Sequence, residues 1–210
     1  MKGASGSFTG LGLPAWLGAA RDQKGKLWFG DYSYKVHSYD PASGEKTTLY
    51  PHGAAGRQLH AGVHALHTDS RSGRIWVGTE AAGLAFVDTV NKCIAPYTGY
   101  NGFRHLGQAT IHCFLEDRTG IWTGTRQGVY LLDPEKGVVA EYSRRTGHLP
   151  HDDILHIYKD KEGIFWLASA GTGLISAGTV RQEPAGSSRN TMACRTTSFM
   201  PFTKTPAVMW

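Results

Sequence analysis

Short apolar runs separated by polar turns recur along the whole chain. Val63–Leu66, Ile111–Leu115 and Ile154–Tyr158 are rich in strand-forming residues. Each is followed within a few residues by a turn containing Asp and Gly. Asp accepts hydrogen bonds from nearby backbone N–H groups, and Gly takes the positive φ that other residues resist. A second apolar run follows the turn, as in Ile75–Gly78. A third lies at Leu84–Val87 and Val129–Leu132, and a fourth at Thr47–Tyr50 and Val138–Tyr142. No stretch repeats its apolar positions with a helical period. The pattern predicts four short antiparallel strands per unit.

These units repeat. Asp22-Gln-Lys-Gly25-Lys-Leu-Trp28 returns as Asp69–Trp76, Asp117–Trp122 and Asp160–Trp166, so the four Trp are 48, 46 and 44 residues apart. The later three are trailed by Gly78-Thr79…Gly83-Leu84, Gly124-Thr125…Gly128-Val129 and Ala168-Ser169…Gly173-Leu174. Asp-Pro and Gly recur at Asp40-Pro41…Gly44 and Asp133-Pro134…Gly137. Four strands in roughly 40–50 residues is the size of a β-propeller blade. The expected fold is all-β, a partial β-propeller of about four blades with a non-repeat C-terminal tail. An N-terminal segment would span 1–12, blade 1 13–58, blade 2 59–104, blade 3 105–148 and an incomplete blade 4 149–175. The repeated Trp would fill the space between neighbouring blades.

Glycine, at 27 of 210 residues, is about twice its usual ~7% share and fits a turn-rich fold. The net charge of +5 points to nucleic acid only until it is located. Residues 176–210 contribute +3, leaving the first 175 nearly neutral at 18 basic and 16 acidic groups. A nucleic-acid binder concentrates basic residues on the folded body, so none is expected as a partner. No apolar run approaches the ~18 residues of a membrane span. Gly12, Pro14 and Gly18 interrupt the one apolar N-terminal stretch, so no export signal is expected within these residues. Cys93, Cys113 and Cys194 are too scattered for a disulfide scaffold or zinc site. No metal, other cofactor or catalytic triad is expected.

The string Asp-x-x-Gly-x-Ile-Trp-x-Gly-Thr-x-x-x-Gly-Leu…Asp-Pro resembles the two-component regulator propeller repeat. Ile75–Thr79 and Ile121–Thr125 carry it most fully, while blade 1 has Trp28-Phe29-Gly30-Asp31 and blade 4 has Ala168-Ser169. The resemblance covers about residues 13–175. It implies a fragment of the extracytoplasmic or periplasmic ligand-sensing propeller of a hybrid sensor histidine kinase. The implied partners are a small-molecule ligand such as an oligosaccharide, the remaining blades, and the kinase of a longer parent. No autonomous or enzymatic activity is expected of the chain. Two other readings stand beside this one. Asp22–Phe29 is also similar to the repeat of streptogramin-lyase-like propellers, which are metal-using enzymes. A propeller is also a common interaction scaffold.

Candidate ligand-binding residues follow from position in the blade. His64 and His112 lie five residues before their turn Asp, and His156 lies four before Asp160. All three fall in the first strand, which lines the channel. Arg57, Arg104, His105, His148, His151 and Asp152 lie on the connections entering that strand, where function concentrates. His64 and His67 are expected to point to opposite faces and so not to share a metal. After Ile175 the repeat stops. Read one base out of register, the tail's codons permit a copy of Leu149–Asp160 with its turn Asp near position 204, 44 residues beyond Asp160. Residues 176–210 are therefore expected to be out of frame or disordered, to form no blade strands, and to leave the third strand of blade 4 unfinished.

Overall fold

The computed structural model describes residues 10, 12, 17–52, 61–177 and the strand placement of 194–195. Blade 1 comprises β1 (Ala19–Arg21), β2 (Leu27–Gly30), β3 (Val36–Tyr39) and β4 (Lys46–Pro51). Blade 2 comprises β5 (Val63–Thr68), β6 (Ile75–Thr79), β7 (Leu84–Asp88) and β8 (Cys93–Pro96). Blade 3 comprises β9 (Ile111–Asp117), β10 (Gly120–Thr125), β11 (Gly128–Asp133) and β12 (Gly137–Tyr142). Blade 4 has β13 (Ile154–Lys159), β14 (Phe165–Ser169), β15 (Gly173–Ala177) and β16 (Cys194–Arg195). Within each blade successive strands pair antiparallel. The first strands β1, β5, β9 and β13 abut in sequence, so they form the inner side of the array.

Two features differ from the sequence expectation. Blades 1 and 2 are joined at their outer edges, where β4 pairs in parallel with β8 through Tyr50↔Cys93 and Pro51↔Ile94. The third strand of blade 4 is complete. It runs two residues past 175, with Phe165↔Ala177 as its last pair, because Ile175 and Ala177 alternate inward into the core. Ser176 and Ala177 also pair with Arg195 and Cys194, so the tail supplies strand at these points. The rest of the 176–210 expectation lies outside the described residues.

The Asp turns close as their chemistry requires. Asp22 Oδ1 accepts the N–H groups of Lys24 and Lys26, both at 2.9 Å, and Gly25 sits at φ 89°. Asp160 repeats this with Ile164 N–H at 2.8 Å. The spacing from Asp to Trp then decides a second bond. Where it is six residues, the indole N–H reaches the other carboxylate oxygen: Trp28 Nε1 to Asp22 at 3.0 Å and Trp166 Nε1 to Asp160 at 2.8 Å. Where it is seven (Asp69–Trp76) or five (Asp117–Trp122), the indole N–H has no hydrogen-bond partner among the described residues.

The Gly-Thr dipeptide closes the turn between the second and third strands. Thr79 Oγ1 donates to Gly83 O at 2.9 Å and accepts from Ala82 N at 3.0 Å. Thr125 does the same with Gly128 and Gln127. In blade 1 Asp31 takes over, accepting Ser33 and Lys35 N–H at 2.8 Å each and holding buried His37 at 3.2 Å.

Three apolar clusters fill the three seams. Trp28 packs with Val63, Leu66 and Ile75 of blade 2. Trp76 packs with Ile111 and Ile121 of blade 3, and Trp122 with Ile154, Ile157 and Phe165 of blade 4. The glycine two residues after each Trp is the point of closest approach. A Cβ on Gly30 would lie 2.3 Å from Val63 Cγ1, and one on Gly78 would lie 2.7 Å from Ile111 Cγ2. A Cβ on Gly124 would lie 2.6 Å from Cys113 Sγ and 3.2 Å from Ile154 O. The first residue of the next blade therefore sits over a missing side chain. Blade 4 carries Ala168 there, and the face beyond it is open among the described residues. Leu174 is 54% exposed, whereas its counterparts Leu84 and Val129 are at 0% and 1%.

Candidate functional site on the inter-blade rim

Antiparallel strand order divides the array into two rims. The Asp-x-x-Gly turns lie on one. The Gly-Thr turns and the connections between blades lie on the other, here called the inter-blade rim. In blades 2, 3 and 4 one backbone bond ties its two parts together: Glu80 N–H to Gly62 O at 2.8 Å, Arg126 N–H to Thr110 O at 3.1 Å, and Ala170 N–H to Asp153 O at 3.0 Å. Directly beside each bond the first strand bulges, between Val63 and Ala65, Ile111 and Cys113, and Ile154 and His156. A bulge re-aims the extra side chain. The bulged residues are His64, His112 and Leu155.

This geometry sorts the sequence candidates. His64 and His112 come together across the seam of blades 2 and 3, with ring centroids 5.7 Å apart. His112 Nε2 then meets Asp153 Oδ1 of blade 4 at 3.0 Å. Arg126 Nε stands 4.0 Å from the other Asp153 oxygen. Burial holds the His64 imidazole below its ordinary pKa, Glu80 pulls the other way, and the charges of His112 and Arg126 reinforce the lowering. His156 does not join this group. It pairs with Ala168, in the position of Ala65 and Cys113, and is exposed; Leu155 holds the place of His64 and His112. His67 binds Glu116 at 3.0 Å, apart from His64.

The connections contribute unequally. His151 Nδ1 accepts Asp153 N–H at 3.2 Å, and its ring covers Gly171. His148 is held by Thr146 at 2.8 Å and lies edge-on to Tyr142, which is a packing role. Arg104 is exposed on a 3-10 turn, Arg104–Gln108. His105 on the same turn bonds Tyr130 Oη at 2.7 Å. Arg57 lies outside the described residues.

His105, Arg126, Gln127, Tyr130, Glu141 and Asp152, with Ser143 and Arg145, line a cleft of about 300 Å3 beside the His112–Asp153 pair. Its polar groups are held in place. Glu141 accepts Ser143 Oγ at 2.8 Å and Arg145 Nη2 at 2.6 Å, and Asp152 accepts Arg144 N–H at 2.6 Å. Burial, reinforced by Glu141, pushes the Tyr130 phenol well up, so it stays a hydroxyl. Burial also pushes the Cys113 thiol up to about 12, which keeps it unreactive. Among the described residues no group of three His, Cys, Asp or Glu is placed to hold a metal ion. The lining thus mixes hydrogen-bond donors and acceptors.

Sequence reasoning missed Arg126, Glu80, Asp153, Tyr130, Glu141 and Arg145. A signal existed for two of them. Glu80 and Arg126 each follow a Gly-Thr dipeptide directly, so the repeat register alone places both on this rim.

Residues 148–171 match the model of the two component regulator propeller family. No curated protein matches the chain. Among solved structures, it is similar to the extracellular domain of a putative hybrid two component system from B. thetaiotaomicron, at 20% identity and a TM-score of 0.62, covering 76% of this chain and 23% of that one. A second such domain from the same organism gives 21% identity and a TM-score of 0.56, covering 74% and 20%. PorZ, a surface component of the type-IX secretion system of Porphyromonas gingivalis, gives 16% identity and 0.58, covering 78% and 26%. At these identities the likeness shows the β-propeller fold. The chain spans about a quarter of the length of these structures or less. No helix among the described residues is long and apolar enough to cross a membrane.

Proposed function

We propose that this chain, which carries the two-component regulator propeller repeat, is part of the extracytoplasmic ligand-sensing propeller of a hybrid two-component sensor. Its ligand is a small carbohydrate-derived molecule, bound on the inter-blade rim. The signal passes to a kinase elsewhere in a longer parent, and the chain alone carries out no reaction. The observation that carries this reading is the repeat itself, matched at 148–171 and present in four copies from Asp22 to Trp166. The cleft beside Tyr130 supports binding over catalysis, because its groups are paired for hydrogen bonding and no nucleophile is activated there.

The flanking gene sequence tests the sensor assignment. A membrane-spanning segment followed by histidine-kinase motifs, in frame with the propeller, is the expected finding. A propeller gene ending without either overturns it.

A further inference from the structure

Every seam joins two faces of the repeat. The outgoing face carries the Trp, the small residue two places after it and that residue's partner on the third strand. The incoming face carries the residues on either side of the next blade's Trp. Inside the array both are covered: Trp28, Trp76 and Trp122 are at most 6% exposed, and Ile75, Val77, Ile121, Thr123, Phe165 and Leu167 at most 4%. The two end faces are not. On blade 4 Trp166 and Ala168 are half-buried, and Tyr158 and Leu174 are exposed. On blade 1 Leu27 and Phe29 are half-buried. The three internal seams show what covers such faces: a blade of this same repeat.

The two end faces complement each other in volume and in charge. A Cβ on Gly78 would meet Ile111 and, at 3.2 Å, the Phe114 ring. Phe114 pairs with the residue directly after Trp122, and that place holds Leu66 in blade 2 and Ile157 in blade 4. In blade 1 it holds Ala19. The outgoing end face thus gains a methyl at Ala168, and the incoming end face loses bulk at Ala19. In blades 3 and 4 the residue before the turn Asp reaches back to the preceding blade, Glu116 to Ser70 and His67, and Lys159 to Asp117 at 2.6 Å. In blade 1 that residue is the exposed Arg21. The matching carboxylate on blade 4 is Asp160, whose bonds from Ile164 N–H and the Trp166 indole bring no cation. Lys161 and Glu162 beside it face each other at 3.7 Å. We propose that the outgoing face of blade 4 docks on the incoming face of blade 1 of a second copy of this chain, so that two copies close head to tail into one ring. Four blades from each copy make eight, within the 4–8 blades of closed propellers. Two-fold symmetry then forms the same seam twice and leaves neither end face open. This does not rest on the sensor reading. Further blades of a longer parent compete for the same two faces, so the 210 residues alone are the species to test.

Light scattering after size exclusion, over a dilution series, is expected to give the mass of two chains falling to one. Leu174→Glu, at a position exposed in the single chain and checked for fold by circular dichroism, weakens association at least about tenfold, the least that burying a Leu contributes. Arg21→Glu weakens it by a smaller factor. Val90→Glu, an exposed residue of the β7–β8 turn on neither face, leaves it unchanged. A short bifunctional thiol cross-linker joins two chains of the double variant Ala19→Cys with Ala168→Cys, above the background that the native cysteines give in the wild type. Neither single variant rises above that background. A single-chain mass throughout overturns the proposal, and so does growth beyond two chains, which shows that the ring does not close. Equal loss of association in Val90→Glu overturns the assigned face. Cross-linking of Ala168→Cys alone overturns the head-to-tail order.

Discussion

Replacing Gly30 with Ala tests how the blades are spaced. The new methyl would stand 2.3 Å from Val63 Cγ1 and 2.5 Å from Val63 Cβ, with Val63 O at 3.1 Å. Val63 cannot easily yield. It is fully buried, its backbone N–H donates across the seam to Asp31 O at 2.9 Å, and its branched side chain has little rotamer freedom. Overpacking of this kind costs about 1–3 kcal/mol, and a β-branched neighbour bonded through its backbone places Gly30→Ala near 2–3 kcal/mol. At ~2–4 °C per kcal/mol for a chain of this size, the melting temperature falls by about 4–12 °C. Thermal and urea denaturation followed by tryptophan fluorescence reads this directly, since Trp28 lies in the same seam. Ala168→Gly in blade 4 is the control. No seam among the described residues closes over it, so it loses only the ~0.5–1 kcal/mol of a glycine in a strand. A Gly30→Ala variant as stable as the wild type would refute the close-approach argument.

Further outcomes follow from single contacts. Trp28→Phe removes an indole bonded to Asp22, whereas Trp122→Phe removes an N–H with no partner among the described residues. Urea unfolding should find Trp28→Phe costlier by about 1 kcal/mol, the value of a hydrogen bond lost at one end. Ala81 sits at φ 79°, so Ala81→Gly should stabilise by roughly 0.5–1 kcal/mol, read as a rise in the urea midpoint. Burial would raise the Asp117 pKa, but Lys159 Nζ at 2.6 Å and the Thr119 donors outweigh it and hold the group below its ordinary 3.8. A depressed carboxylate stabilises fully above its unfolded value and loses that contribution as pH falls through the folded one. Unfolding curves at pH 7 and below pH 4 should therefore show acid destabilisation, and Asp117→Asn should reduce it.

The strands were legible because turn chemistry and apolar runs repeat with one period. The Asp turns, the Gly-Thr turns and the seam tryptophans are local or nearest-neighbour features, and a repeat displays such features directly. The candidate site was legible in part. His64 and His112 were found by counting from the turn Asp. His156 lies four residues before its turn Asp where His64 and His112 lie five, and the bulge makes that one residue decisive. In a strand with period 2, a single-residue slip exchanges the faces, so Leu155 and not His156 stands in the channel position. The place of Arg126 is readable from the Gly124-Thr125 dipeptide before it, but its turn position carries no apolar period to mark it. The β4–β8 pairing was not readable at all. It depends on how two blades are rotated against each other, and no residue pattern within one blade encodes that rotation.

The two rims differ in how they join neighbouring blades. On the rim of the Asp turns, polar side chains bridge from each blade to the next: Gln23 Nε2 donates to Ser70 O at 3.0 Å, Ser70 and His67 both meet Glu116, and Lys159 meets Asp117. Every seam has such a link there, so change at these positions alters blade spacing before anything else. On the inter-blade rim the connections differ in length and composition, from the 3-10 turn before β9 to the Ser143–Asp153 loop before β13. Variation there leaves the seams intact, because the core residues Ile111 and Ile154 that follow are buried strand positions. Sequence can thus change on one rim while the other keeps the blades in register. This separation explains why the repeat identifies the scaffold so clearly while the composition of the inter-blade rim stays outside the repeat.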